Sequence, residues 1–210
     1  MSFHFLIRFT KQSRTRFLSH RELMTLIERA VRRAGLPVAM SEGFNPRPRI
    51  AFPSALALGI SSEDEVISLQ LSEWLSPAEI SRRLTPQLIP GITLTRIEPL
   101  RNKLSAQVKS EQYRIIFNDT SLTLSPEQIK NLLNQPEIII TRTRPGDLPK
   151  KINIKLYLQK IELDQRALIV TLKITPQGTA RPEEVLIALG LKGSLKDGTW
   201  SIHKILSLVT

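Results

Sequence analysis

SRTRFLSHRELMTLIERAVRRAGLPVAMSEGFNPRPRIAFPSA, from Ser13 to Ala55, is the stretch on which the reading of the chain turns. It predicts a sharply bounded helix followed by a loop that no helix can enter. Ser19 and Glu22 are spaced as a capping box: the serine oxygen takes an orphan amide, and the carboxylate reaches back to the Ser19 N–H. Leu18 and Leu23 are placed as the accompanying hydrophobic staple. Leu23, Leu26, Ile27, Ala30, Val31 and Ala34 recur at helical spacing and make one apolar stripe. Gly35 suits the left-handed position past the helix end, and Pro37 forbids continuation. The opposite face carries Arg21, Glu28, Arg29, Arg32 and Arg33. Arg21, Glu28 and Arg32 fall close to one line, because seven and eleven residues are near whole turns. Such a face is either ordinary solvated surface or a contact surface for an anion.

In Ser41-Glu42-Gly43-Phe44-Asn45-Pro46-Arg47-Pro48-Arg49, one glycine and two prolines exclude helix. The prolines favour an extended backbone that puts Arg47 and Arg49 on one side. Phe44 is a bulky apolar residue in a turn. It either tucks into the core beside solvated arginines, or stands out where arginine forks and an aromatic ring suit phosphates and stacked bases.

The segment Arg16–Glu65, with its phrases RFLSH, RRAGLP and SEGFNPRP, resembles the opening of the radical-SAM-associated domain family. The resemblance is strong over about the first hundred residues and extends beyond them only in general layout. It implies a domain that occurs at the tail of radical SAM proteins or alone, near genes for ribonuclease E/G-type enzymes. Those two enzyme types are the protein partners it implies. A radical SAM enzyme itself needs three thiolates for its iron–sulfur cluster. This chain has no cysteine, so it would be the associated domain.

The remaining composition narrows the classes. The 210 residues suffice for one large or two small domains, and 41% hydrophobic content is ordinary for a globular chain. No apolar run approaches the roughly 20 residues of a membrane helix. The start, MSFHFLIRFTK, lacks a signal-peptide pattern. The lack of cysteine fits a reducing compartment, so a cytoplasmic location is expected. Net charge is +11 and the isoelectric point about 10.3. The excess is clustered: residues 1–50 carry net +7, 51–100 net −3, 101–155 net +5 and 156–210 net +2. Clustering of this kind marks a polyanion footprint.

Read in order, Phe3 to Phe9 alternate as a strand, and a short strand follows the Arg/Pro loop between Ile50 and Ala55. Ile67, Leu69 and Leu71 mark a third strand. Ser76-Pro77-Ala78-Glu79 repeats the capping-box spacing before a helix running to about Leu88, and Ile92–Ile97 read as a fourth strand. The order is strand, helix, strand, strand, helix, strand. A basic connector over 101–111 leads to the same order again. Tyr113, Ile115 and Phe117 alternate, Ser125–Gln128 opens a helix, and a hairpin turns at Asp164-Gln165. Pro182 opens a helix that Gly190 closes, and Ile202–Val209 form a last strand. The β-branched run 137–141 is surplus and would lengthen a strand. The expected class is α+β: two tandem ferredoxin-like (βαββαβ) halves with antiparallel sheets, 1–100 and 112–210.

No metal ligand set, phosphate loop, nucleophile elbow or cofactor motif is present in the sequence. The residues proposed to meet nucleic acid are Arg14, Arg16, His20, Arg21, Arg29, Arg32, Arg33, Phe44, Asn45, Arg47 and Arg49. A second basic loop adds Arg142, Arg144, Lys150 and Lys151. His20, among arginines at a helix start, is the one candidate base. It could equally cap the helix or bind phosphate without chemistry. Three functions are open. The first, and the one expected, is a non-enzymatic RNA-binding or adaptor protein in RNA processing or modification. The others are a metal-independent endoribonuclease using His20 and a protein-interaction module with a basic face for an acidic partner.

Overall fold

The computed structural model describes residues 2–100, 106–119, 124–143, 146, 148–165 and 167–209. It is a mixed α+β structure whose strand pairs are mostly antiparallel. The chain divides into two compact units, Met1–Val108 with Val209–Thr210, and Lys109–Leu208.

The first unit contains strands β1 (Phe3–Lys11), β2 (Ile50–Ala51), β3 (Ser61–Leu71) and β4 (Ile92–Leu100), with helices α1 (His20–Arg33) and α2 (Pro77–Leu84). The sheet runs β4-β1-β3, and β2 lies beside β3. All three pairings are antiparallel. Strand alternation explains the layering. Phe5, Ile7 and Phe9 of β1 and Ile67, Leu69 and Leu71 of β3 point into one buried cluster. Leu23, Ile27, Ala30 and Val31 of α1 and Ile80 and Leu84 of α2 close over it. Each large side chain buried here contributes roughly 1.5–3 kcal/mol. On the other face, Leu6 is covered as well, packing with Val66 and Ala106.

Local signals set the helix ends. Ser19 and Glu22 form the complete capping box. Gly35 takes φ +60° past the last turn, a region open to glycine at no steric cost. At α2 the expected box is only half made. Ser76 Oγ accepts from the Glu79 N–H at 3.2 Å, but the Glu79 carboxylate turns to Arg82 and Arg83. Two guanidinium forks outcompete one neutral amide. They hold the Glu79 carboxyl down at about 2 from 4.5, through Arg82 first and Arg83 second. The helix also ends earlier than expected, passing into a 3-10 turn over Thr85–Gln87. Pro86 has no N–H to donate to the preceding turn, and its ring crowds it.

The second unit contains β5 (Val108–Phe117), α3 (Pro126–Asn134), β6 (Ile139–Arg142), β7 (Lys150–Asn153), β8 (Leu158–Asp164), β9 (Ala167–Lys173), α4 (Pro182–Ala188) and β10 (Trp200–Val209). Its sheet order is β10-β5-β9-β8. Ser125 and Gln128 complete a capping box on α3. The surplus run at 137–141 does not lengthen a strand of this sheet. Its residues enter β6, which pairs with β7 as a separate two-stranded ribbon from Ile139–Asn153 to Arg142–Lys150. Strand also occupies the far end of the segment read as a connector, since β5 starts at Val108.

Candidate nucleic-acid interface

The outward face of α1 is built by the same periodicity that buries its other side. With Leu23, Ile27, Ala30 and Val31 fixed in the core, Arg21, Arg29, Arg32 and Arg33 are carried to solvent, and all four are exposed. Among the described residues, no carboxylate pairs with Arg21, Arg29 or Arg32. Arg33 donates one N–H to the Gln87 carbonyl at 2.8 Å and keeps its other donors. Arg21, Arg29 and Arg33 line an open groove of about 680 Å³, with Ser19, Glu22 and Thr25 along it and Leu26 and Ile89 as its apolar wall. The one acid in the groove, Glu22, is engaged with the Ser19 N–H at 2.8 Å. Bonding to Ser19 keeps its carboxyl below the usual range, so it stays charged. Three guanidinium groups against this one capped carboxylate leave the groove electropositive.

The Arg/Pro loop is a small hairpin. Ser41 N–H donates to the Arg47 carbonyl at 2.8 Å, and Arg49 N–H to the Ala39 carbonyl at 2.8 Å. Ser41 Oγ accepts from the Arg47 N–H at 2.9 Å. Gly43, at φ +115°, turns the tip. Phe44 stands at that tip and is fully exposed, so it does not tuck into the core. Asn45, Arg47 and Arg49 are exposed too. Arg49 Nε donates to the Met40 carbonyl at 3.3 Å, which steadies its side chain along the hairpin.

Before α1, Arg14 and Arg16 lie exposed on a 3-10 turn, Ser13–Phe17. The Arg16 guanidinium sits 4.7 Å from the Phe17 ring centroid, a cation–π contact. His20 is half-buried and meets Phe52 edge-on at 5.7 Å between ring centroids. No hydrogen bond to its ring occurs among the described residues, so no acid–base pair is assembled around it there. Sequence reasoning gave Phe17 no role. Its place directly after Arg16 is the signal that could have found it.

In the second unit the basic residues have different fates. Arg142 is not free: its guanidinium grips Glu184 at 2.5 and 2.7 Å and donates to the Thr179 carbonyl at 2.7 Å. Its side chain is 18% exposed and that of Glu184 5%. The paired carboxylate raises the Arg142 pKa further. A guanidinium held in this way is not offered to a phosphate, and Arg142 is dropped from the interface. Lys150 and Lys151 are exposed on β7. Arg144 lies outside the described residues. Among those residues, no three His, Asp or Glu side chains gather as a metal site, and no helix is long and apolar enough to cross a membrane.

A family model described as "uncharacterized protein conserved in bacteria", DUF2344, matches residues 4–182. No curated protein matches the chain. Among solved structures the chain is similar to one described as "Crystal Structure of a Cbf5-Nop10-Gar1 Complex". The identity is 10% and the TM-score 0.44, over 97% of this chain. This chain spans about half of that one, 48%, and a likeness at this level carries no argument about function.

Proposed function

We propose that this chain, which belongs to the family of uncharacterized proteins conserved in bacteria called DUF2344, is a non-enzymatic RNA-binding or adaptor protein. The observation that carries the reading is the outer face of α1. Arg21, Arg29 and Arg32 are exposed there without a carboxylate partner among the described residues, and two of them line a groove. Unpaired surface arginines gain most from phosphate, whose oxygens match the guanidinium fork. Release of condensed counterions supplies the driving force. The exposed Phe44 at the tip of the adjoining loop adds a ring of the kind on which bases stack.

The finer parts of the reading belong to the same proposal. Each unit is read as a ferredoxin-like half, supported by the strand order: last, first, third, second in both, with the β6–β7 ribbon inserted in the second. The resemblance of Arg16–Glu65 to radical-SAM-associated domains points to a radical SAM or ribonuclease E/G-type protein as partner in RNA processing, in the cytoplasm. The test is ultraviolet crosslinking of the purified full chain to total RNA, with mapping of the crosslinked peptides. Crosslinks are expected in α1 and in the 39–50 hairpin. Recovery of no more RNA than an acidic control protein retains would overturn the reading.

A further inference from the structure

We propose that Phe17, backed by Arg16, is a stacking subsite for an unpaired nucleobase, so that the RNA taken by this surface is single-stranded where it crosses the start of α1. The inference rests on the RNA reading above and names the class of RNA.

Phe17 is displayed by a clamped turn. Thr15 is buried, and its hydroxyl donates to the Gln12 carbonyl at 2.5 Å and to the Gly91 carbonyl at 3.3 Å. Gln12 N–H closes the same junction on Gly91 at 2.8 Å. A Cβ at Gly91 would lie 2.6 Å from the Gln12 carbonyl oxygen, so only glycine admits this approach. The carbonyls on either side of the Phe17 residue are held as well. Gly59 N–H donates to Arg16 at 2.9 Å, and the buried Lys11 ammonium donates to Leu18 at 2.8 Å and to Arg16 at 3.4 Å. The backbone on both sides of Phe17 is therefore pinned, and the residue is 56% exposed. The backbone that carries the ring is fixed before any ligand arrives, which lowers the ordering cost of binding.

The chemistry around the ring selects the ligand. Arg16 covers one face of the ring, and we assign the 56% exposure of the residue to the other. A nucleobase laid on that open face would be sandwiched into a cationic stack, and every base has a π-face to offer. Arg14 and Arg21 are exposed nearby in sequence with no carboxylate partner among the described residues, and are suited to the flanking phosphates. The acid in this segment, Glu22, is occupied by Ser19. In a duplex the bases are paired and stacked on one another, so their faces are closed to a side chain.

The test uses the full chain and three probes: a short single-stranded oligoadenylate, an abasic strand of the same length, and the oligoadenylate annealed to its complement. Phe17→Leu keeps apolar bulk and removes the ring. It is expected to weaken oligoadenylate binding about tenfold or more. Phe17→Tyr should bind as the wild type does, the abasic strand should be insensitive to Phe17→Leu, and both variants should melt with the wild type. If the wild type binds oligoadenylate and Phe17→Leu binds it equally well, the stacking subsite is wrong while RNA binding stands. If the duplex binds as tightly as the single strand and shows the same loss in Phe17→Leu, the assignment to single strands is wrong. If the wild type binds none of the probes, the RNA reading fails and the subsite with it.

Discussion

In the first unit Ser19 and Glu22 open a helix whose outer arginines meet no carboxylate among the described residues. In the second, Ser125 and Gln128 open α3 with the same box, and the first arginine of the basic loop, Arg142, is locked onto a buried Glu184. The second unit also buries a lysine, Lys204, whose ammonium donates to Glu111 at 3.0 Å while the Tyr113 hydroxyl donates to the same carboxylate at 2.6 Å. Similar local starts and similar surpluses of Lys and Arg thus serve different ends. A cation with an acid folded against it is part of the structure, and a cation without one is available to a ligand. Net charge per segment does not separate the two cases, because the partner comes from elsewhere in the chain.

The largest expected effect probes the second unit. Arg142→Met leaves the Glu184 carboxylate buried without its guanidinium and should cost roughly 3–5 kcal/mol of stability in chemical denaturation. Adding Glu184→Gln to that variant removes the stranded charge and should recover part of the loss. A loss of less than about 1 kcal/mol in the single variant would show that Arg142 is a surface cation after all, and the contrast between the units would collapse.

How much of this could be read in sequence follows from how far apart the partners lie. The capping boxes at Ser19 and Ser125 are legible because cap and acceptor are three residues apart. The alternation of Phe5, Ile7 and Phe9 is legible because strand period is local. Arg142 and Glu184 are 42 residues apart, and nothing in RTRPGDLPKK announces the pairing. The β6–β7 ribbon is hidden for the same reason: a β-branched run shows that a strand forms but not which strand it joins. The half-made box at Ser76 shows a competition that spacing alone does not rank, since Glu79 has two arginines within one turn. Phe44 and Phe17 turn on exposure, which a hydrophobic residue type argues against until the loop around it is known.

The next effects sharpen the first-unit side. Phe44→Ala should weaken single-stranded RNA binding by roughly 1–3 kcal/mol and leave the melting temperature where it was, because the ring is fully exposed. A lowered melting temperature with unchanged binding would assign Phe44 to folding. Ser19→Ala removes the acceptor of the Glu22 N–H and should cost about 1 kcal/mol of stability, read as a shift in the denaturation midpoint. A stability equal to wild type would mean that packing alone fixes the start of α1.

Glu79 gives the smallest effect and a definite sign. Its carboxyl is held at about 2, below its ordinary 4.5, by Arg82 and Arg83. The contribution is therefore present above the ordinary value and is lost as pH falls through about 2. Glu79→Gln should flatten the stability curve across that window. Since Arg82 is exposed and Glu79 and Arg83 are only half-buried, about 1 M salt should remove most of the difference from wild type. A difference that persists in high salt would show that the cluster is shielded from solvent.

The central claim is that the unpaired arginines of α1 meet a polyanion, and the salt dependence of binding tests it most directly. Affinity of the full chain for single-stranded RNA should fall linearly on a log–log plot against salt. In the Arg21→Ala, Arg29→Ala, Arg32→Ala triple variant the slope should be shallower by about two, from roughly 0.7 for each phosphate no longer neutralised. The triple variant should melt with the wild type, since these side chains are exposed. An unchanged slope and unchanged affinity in a folded triple variant would contradict the account.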